Sequence, residues 1–198
     1  MHICIKTITP AYCIYSIFAV TVYGGNFMER TTKRSAMSYV IAGFIFTAVL
    51  GTLLHFFYEW SGNSRVVSLF SPVNESAWEH MKLVFFPVLL WTLLMPSGIR
   101  KEYPSLCPAL LAGSLLGTFL VPVLFYTYSG ILGRNISFVD IAIFFIAVAA
   151  AFYTAWKLKA SDRMYRFRKL IAAMAVLLVL SFFLFTFLPP QIGLFQEP

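Results

Sequence analysis

The sequence predicts an all-α polytopic membrane bundle of five spanning helices, with the N-terminus in the cytoplasm and the C-terminus outside. Three observations predict it. Sixty percent of the 198 residues are apolar and only 12% are charged, where a soluble domain carries about 25%. Long apolar runs recur along the chain and leave a mean hydropathy of +0.80. The basic residues fall in short clusters between alternate runs, as cytoplasmic loops of membrane proteins require. The length suits a single domain.

Taken in order, residues 1–35 read as an N-terminal extension dispensable to the fold, and residues 36–198 as one membrane-embedded domain. Residues 8–23 are apolar but short and contain Pro10, so a sixth N-terminal segment is the alternative count. Met28 opens a charged stretch that would start a protein plausibly by itself. A spanning helix needs about 20 apolar residues, and four segments supply them: 37–57, 106–128, 136–156 and 170–188. Between the first two lies 83–95, an apolar run that covers only about 20 Å of a core about 30 Å thick. To cross, this second span must reach back to about Ser76. Ser71-Pro72 reads as its helix start, a capping serine followed by proline at the first helical position, with Asn74 as an alternative cap. Pro87 and Pro122 should kink their helices, and Pro189-Pro190 ends the last one.

Orientation follows from charge. Arg30, Lys33 and Arg34 precede the first span, and Arg100 and Lys101 separate the second from the third. Lys157, Lys159, Arg163, Arg166, Arg168 and Lys169 separate the fourth from the fifth. Eleven of fifteen basic residues thus lie on one side, which the positive-inside rule makes cytoplasmic. This clustering argues against nucleic acid as the partner of the +7 net charge. It points instead to the bilayer, with anionic lipid headgroups at the 157–169 loop. Tyr58, Trp60, Trp78, Tyr126 and Tyr128 read as an outer aromatic belt. Cys4, Cys13 and Cys107 share no metal-ligand spacing and read as small packing residues.

The stretch that must extend the second span carries Glu79, His80 and Lys82 to membrane depth on the outer side. With Glu75 in the first turns, helical spacing places Glu75, Glu79 and Lys82 on one face and His80 on another. His55 and Glu59 end the first span four residues apart, and Asp140 lies one turn into the fourth. Ionisable groups inside a membrane are costly and face protein or water, so a functional site is the default expectation. The candidate ligands are His55, Glu59, Glu75, Glu79, His80 and Asp140, supported by Asn74, Lys82, Tyr58 and Trp78. The set suits a cation or small polar ligand, with a divalent metal such as zinc, manganese or iron as the cofactor. A metal-dependent hydrolase is the alternative activity. In a structural or accessory subunit the same charges would merely neutralise one another along the helix.

The residues His55, Tyr58, Glu59 and Trp60, the string Ser71-Pro72-Val73-Asn74-Glu75-Ser76, then Trp78-Glu79-His80 and Lys82, resemble the signature of a family of small bacterial integral membrane proteins catalogued as a domain of unknown function. The closing PPQIGLFQEP is similar to that family's C-terminal segment. The resemblance covers roughly residues 38–198 and implies a multi-pass protein of the bacterial cytoplasmic membrane. It implies no activity.

Overall fold

The computed structural model describes residues 36–197. The extension expected over residues 1–35, with His2, Cys4 and Cys13, lies outside the described residues. Among these, only helices and turns occur. The long helices are α1 (Ala36–Trp60), α2 (Ala77–Leu93), α4 (Leu106–Leu132), α5 (Ser137–Leu158) and α7 (Arg168–Phe187). Two short helices, α3 (Ser97–Glu102) and α6 (Asp162–Arg166), lie between them, and 3-10 turns form at Val67–Leu69 and Gly193–Phe195.

Four of these helices, α1, α4, α5 and α7, are long and apolar enough to cross a membrane. Their outward surfaces suit lipid. On α1 the residues Ile41, Ile45, Val49 and Leu53, spaced four apart, are all exposed, while Gly43, Thr47, Gly51 and Leu54 point inward. The larger apolar residues therefore face out and the small ones face the helix neighbours. Helices in lipid gain little from burying more hydrocarbon, so close approach decides where they pack.

α2 differs from the rest. Its 17 residues reach about 26 Å, and twelve of them are buried. It packs against α4 and α1, and α4 and α5 make the most extensive helix contact. The apolar run at 83–95 is thus short because its helix is enclosed, and the polar residues ahead of it find protein partners.

The α4–α5 contact is built on small residues. A Cβ on Gly113 would stand 2.2 Å from the Ala151 carbonyl oxygen, and one on Gly117 would stand 2.6 Å from that of Ala147. Gly113 and Gly117 are four apart, as are Ala147, Ala151 and Ala155 opposite, so both faces carry the small-xxx-small spacing that lets backbones touch. α1 meets α2 in the same manner. Pro87 has no N–H, which leaves the Leu83 carbonyl without its helical donor, and Gly51 brings its Cα against that oxygen. Pro87 and Pro122 both sit inside continuous helices.

The helix start expected at Ser71-Pro72 is corrected. α2 begins at Ala77 with Ser76 as its cap, its hydroxyl accepting from the Glu79 N–H at 3.4 Å. Ser71 lies before that start, and its hydroxyl donates to the Leu54 carbonyl of α1, tying the loop to the first helix. Asn74 does not cap the helix either; its side chain accepts from the Ser76 N–H at 3.1 Å and forms the turn leading in. Glu75 consequently lies before the helix and not within its first turns. Trp78, expected in an aromatic belt, is buried against Phe182, Phe185 and Phe195. The chain after Pro189-Pro190 folds back onto α2, and Tyr126 fixes it by donating to the Gly193 carbonyl at 2.7 Å.

Candidate functional site

The end of the bundle where α1 and α4 finish and α2 and α5 begin holds the polar residues singled out above. They separate into two groups, and Glu75 falls with His55 and His80 and not on the face of Glu79 and Lys82 that helical spacing assigned to it.

The first group is Glu79 and Lys82, both buried. The Lys82 ammonium donates to the Glu79 carboxylate at 2.7 Å, to the Ser68 carbonyl at 2.9 Å and to the Thr186 hydroxyl of α7 at 2.6 Å. Thr186 is free to accept because its own proton goes to the Phe182 carbonyl. Glu79 also accepts from the Val73 N–H at 3.0 Å. All three ammonium protons thus have acceptors, which makes a buried charge tolerable. The network ties α2, α7 and the loop between α1 and α2 together, and it leaves Glu79 committed to structure.

The second group is His55, Glu75 and His80. One ligand atom from each lies within 4.8 Å of the other two. His80 Nε2 is 3.3 Å from one Glu75 oxygen, and His55 Nε2 is 3.8 Å from the other. Ligand atoms 2.0–2.2 Å from a tetrahedral zinc lie about 3.3–3.6 Å apart, so separations within 4.8 Å close with shifts of at most about 1.5 Å. Glu75 is exposed on its loop and both rings are half-buried, which puts the freedom to move in the carboxylate.

The orientation of His80 is fixed from behind. Its Nδ1 lies 2.9 Å from the Ser76 carbonyl, which can only accept, so Nδ1 carries a proton and Nε2 is the nitrogen turned to the Glu75 carboxylate, donating to it when the ring is charged and able to ligate a cation once that proton is lost. Metal-bound histidines are held in just this way by an outer hydrogen bond. The His80 ring beside Glu75 holds that carboxyl below the usual carboxylate range. The two imidazole rings stand 5.4 Å apart.

The other candidates are peripheral. Glu59 is exposed at the end of α1, close enough for its charge to act on His55. Asp140 accepts a short hydrogen bond from the Tyr128 hydroxyl, which in turn accepts from the Ile136 N–H at 3.2 Å, and its field reaches His80. Tyr58 contributes its carbonyl, which accepts from the Ser61 hydroxyl and the Asn63 N–H and closes the turn after α1.

Sequence reasoning missed Ser68 and Thr186, and gave Ser71 a capping role in place of its bond to Leu54. Ser68 acts through its backbone, which carries no residue-type signal, and Thr186 lies 104 residues from Lys82. The cap was legible: Ser76 followed by Glu79 has the spacing of a capping box.

Residues 28–198 match the model of a family described as a family of unknown function (DUF6512). No curated protein and no solved structure matches the chain.

Proposed function

The chain belongs to this family of unknown function (DUF6512), and we propose that it is an integral membrane protein binding one divalent transition-metal ion through His55, Glu75 and His80. The observation that carries the reading is the convergence of two imidazole Nε2 atoms on one exposed carboxylate, with the His80 Nδ1 held by the Ser76 carbonyl so that Nε2 is the atom left to ligate. Imidazole and carboxylate together favour zinc, manganese or iron over calcium or magnesium.

Metal analysis of purified protein tests this. Wild type should take up about one zinc per chain, and at 100-fold excess over Kd bound metal should raise stability by about 2.7 kcal/mol. His55→Ala and His80→Ala should each abolish both effects. Equal uptake by wild type and the His55→Ala/His80→Ala pair would overturn the site.

The same donor set supports a second reading, a membrane-embedded metal-dependent hydrolase. Three protein ligands leave a fourth coordination position open for water, the pattern of catalytic zinc sites. Asp140, held by Tyr128 and close enough to act on His80, is the candidate base. On that reading Asp140→Asn would lose ester or amide hydrolysis while keeping the metal. Hydrolysis unaffected by Asp140→Asn would remove Asp140 from the role.

The proposed topology counts α2 as a fifth span, with the N-terminus in the cytoplasm and the site open to the outside of a bacterial cytoplasmic membrane. The basic bias of the 157–169 loop supports it. In a background with the native cysteines changed to serine, Ser64→Cys should react with an impermeant thiol reagent in intact cells, and Ala160→Cys should not. The reverse labelling would invert the orientation.

A further inference from the structure

The opposite end of the bundle carries an apolar groove between the start of α1 and the end of α5, with a volume of about 240 Å³. Met37, Ile41 and Phe44 form one wall, and Phe152, Tyr153 and Trp156 form the other. From Met37 to Phe44 the groove runs about 10 Å along the helix axis. Its lining is hydrocarbon and aromatic, so a polar ligand has no partner inside it.

Its mouth is different. Lys159 Nζ sits 3.4 Å above the centre of the Trp156 ring and donates to the Trp156 carbonyl at 3.2 Å. Lys157 Nζ lies 5.4 Å from the centre of the Tyr153 ring. Two ammonium groups are therefore held beside the two aromatic residues that end the groove, and neither has a carboxylate partner among the described residues. Tyrosine and tryptophan at such a position mark the level of lipid headgroups.

We infer that this groove is a binding site for an anionic phospholipid, with one acyl chain between α1 and α5 and the phosphate between Lys157 and Lys159. An apolar slot whose two end aromatics each carry a lysine ammonium matches an amphiphile whose charged end is an anion. The site lies at the far end of the bundle from His55, Glu75 and His80, so it stands or falls separately from the metal reading. It is also independent of which side of the membrane the loop occupies.

Acyl-brominated lipids quench nearby tryptophan and supply the test. The full chain is reconstituted in phosphatidylcholine vesicles containing phosphatidylglycerol, with the bromine on one lipid or on the other. The Trp156 signal is the difference between wild type and Trp156→Phe. Brominated phosphatidylglycerol should quench it at about tenfold lower mole fraction than brominated phosphatidylcholine, since each base near a headgroup contributes appreciably. Lys157→Gln/Lys159→Gln should erase that preference. Native mass spectrometry of lipid retained by wild type and by this double variant gives a reading that does not depend on Trp156→Phe. Equal quenching by both lipids would make the groove an unselective lipid contact and overturn the proposal. No quenching by either would show protein covering the groove, and a preference surviving in the double variant would remove the lysines; both results overturn it as well.

Discussion

Lys82→Met should destabilise the protein by about 3–5 kcal/mol, because it strands the buried Glu79 carboxylate. The remaining partner of that carboxylate is the Val73 N–H at 3.0 Å. Glu79→Gln should cost a similar amount for the opposite reason, leaving a buried ammonium with neutral acceptors only, the Ser68 carbonyl, the Thr186 hydroxyl and the new amide oxygen, and no counter-charge. Combining the two should recover most of the loss, since no lone charge then remains. Thermal melts of the parent and the three variants in detergent measure this. Additive losses in the double variant would mean that the pair is not the unit of stability. Added zinc separates the two polar groups: the single variants at 79 and 82 should melt earlier yet still respond to metal, whereas variants at His55 or His80 should lose the response.

The second large effect is expected at Gly113. Even an alanine Cβ there would stand 2.2 Å from the Ala151 backbone oxygen, which cannot rotate aside as a flexible side chain would. Gly113→Val must therefore push α4 and α5 apart along their main contact, at a cost of about 3 kcal/mol. Gly130, also on α4, has nothing within 4 Å of its would-be Cβ. Gly130→Ala should be neutral or gain up to about 1 kcal/mol, because alanine is the better helix former. Denaturation of the two variants side by side in mixed micelles checks the contrast. A Gly113→Val protein as stable as Gly130→Ala would show that the two helices are not in backbone contact.

Four long helices were legible in the sequence because length and apolarity suffice to find them. The start of α2 was not, although its signal was present. Ser71-Pro72 satisfies the rules for a helix start, yet Ser71 spends its proton on Leu54 of another helix, a tertiary contact that no local rule anticipates. The five-residue displacement has a functional consequence. Counted as helical, Glu75 falls on the face of Glu79 and Lys82. As the last loop residue but one before Ala77, it turns instead toward His80 and His55. The polar residues lie at one end of the bundle, but their partition into a buried ion pair and a His/Glu cluster depended on that boundary. Gly113, Gly117 and the alanines opposite could have been recognised from their spacing of four alone.

The Lys82–Thr186 hydrogen bond also has a meaning in time. Thr186 is near the end of the last long helix, and Lys82 is in the second, with 104 residues of chain between them. A ribosome making about 5–20 residues per second needs about 5–20 s to cover that interval. Throughout it, α2 carries an ammonium group that is one acceptor short. The arrival of α7 completes the set and seals the aromatic cluster of Trp78 and Phe182 in the same step. A nascent chain stalled or truncated before α7 would present an undersatisfied charge on an otherwise apolar helix, the kind of defect by which proteases and chaperones distinguish an unfinished protein from a finished one.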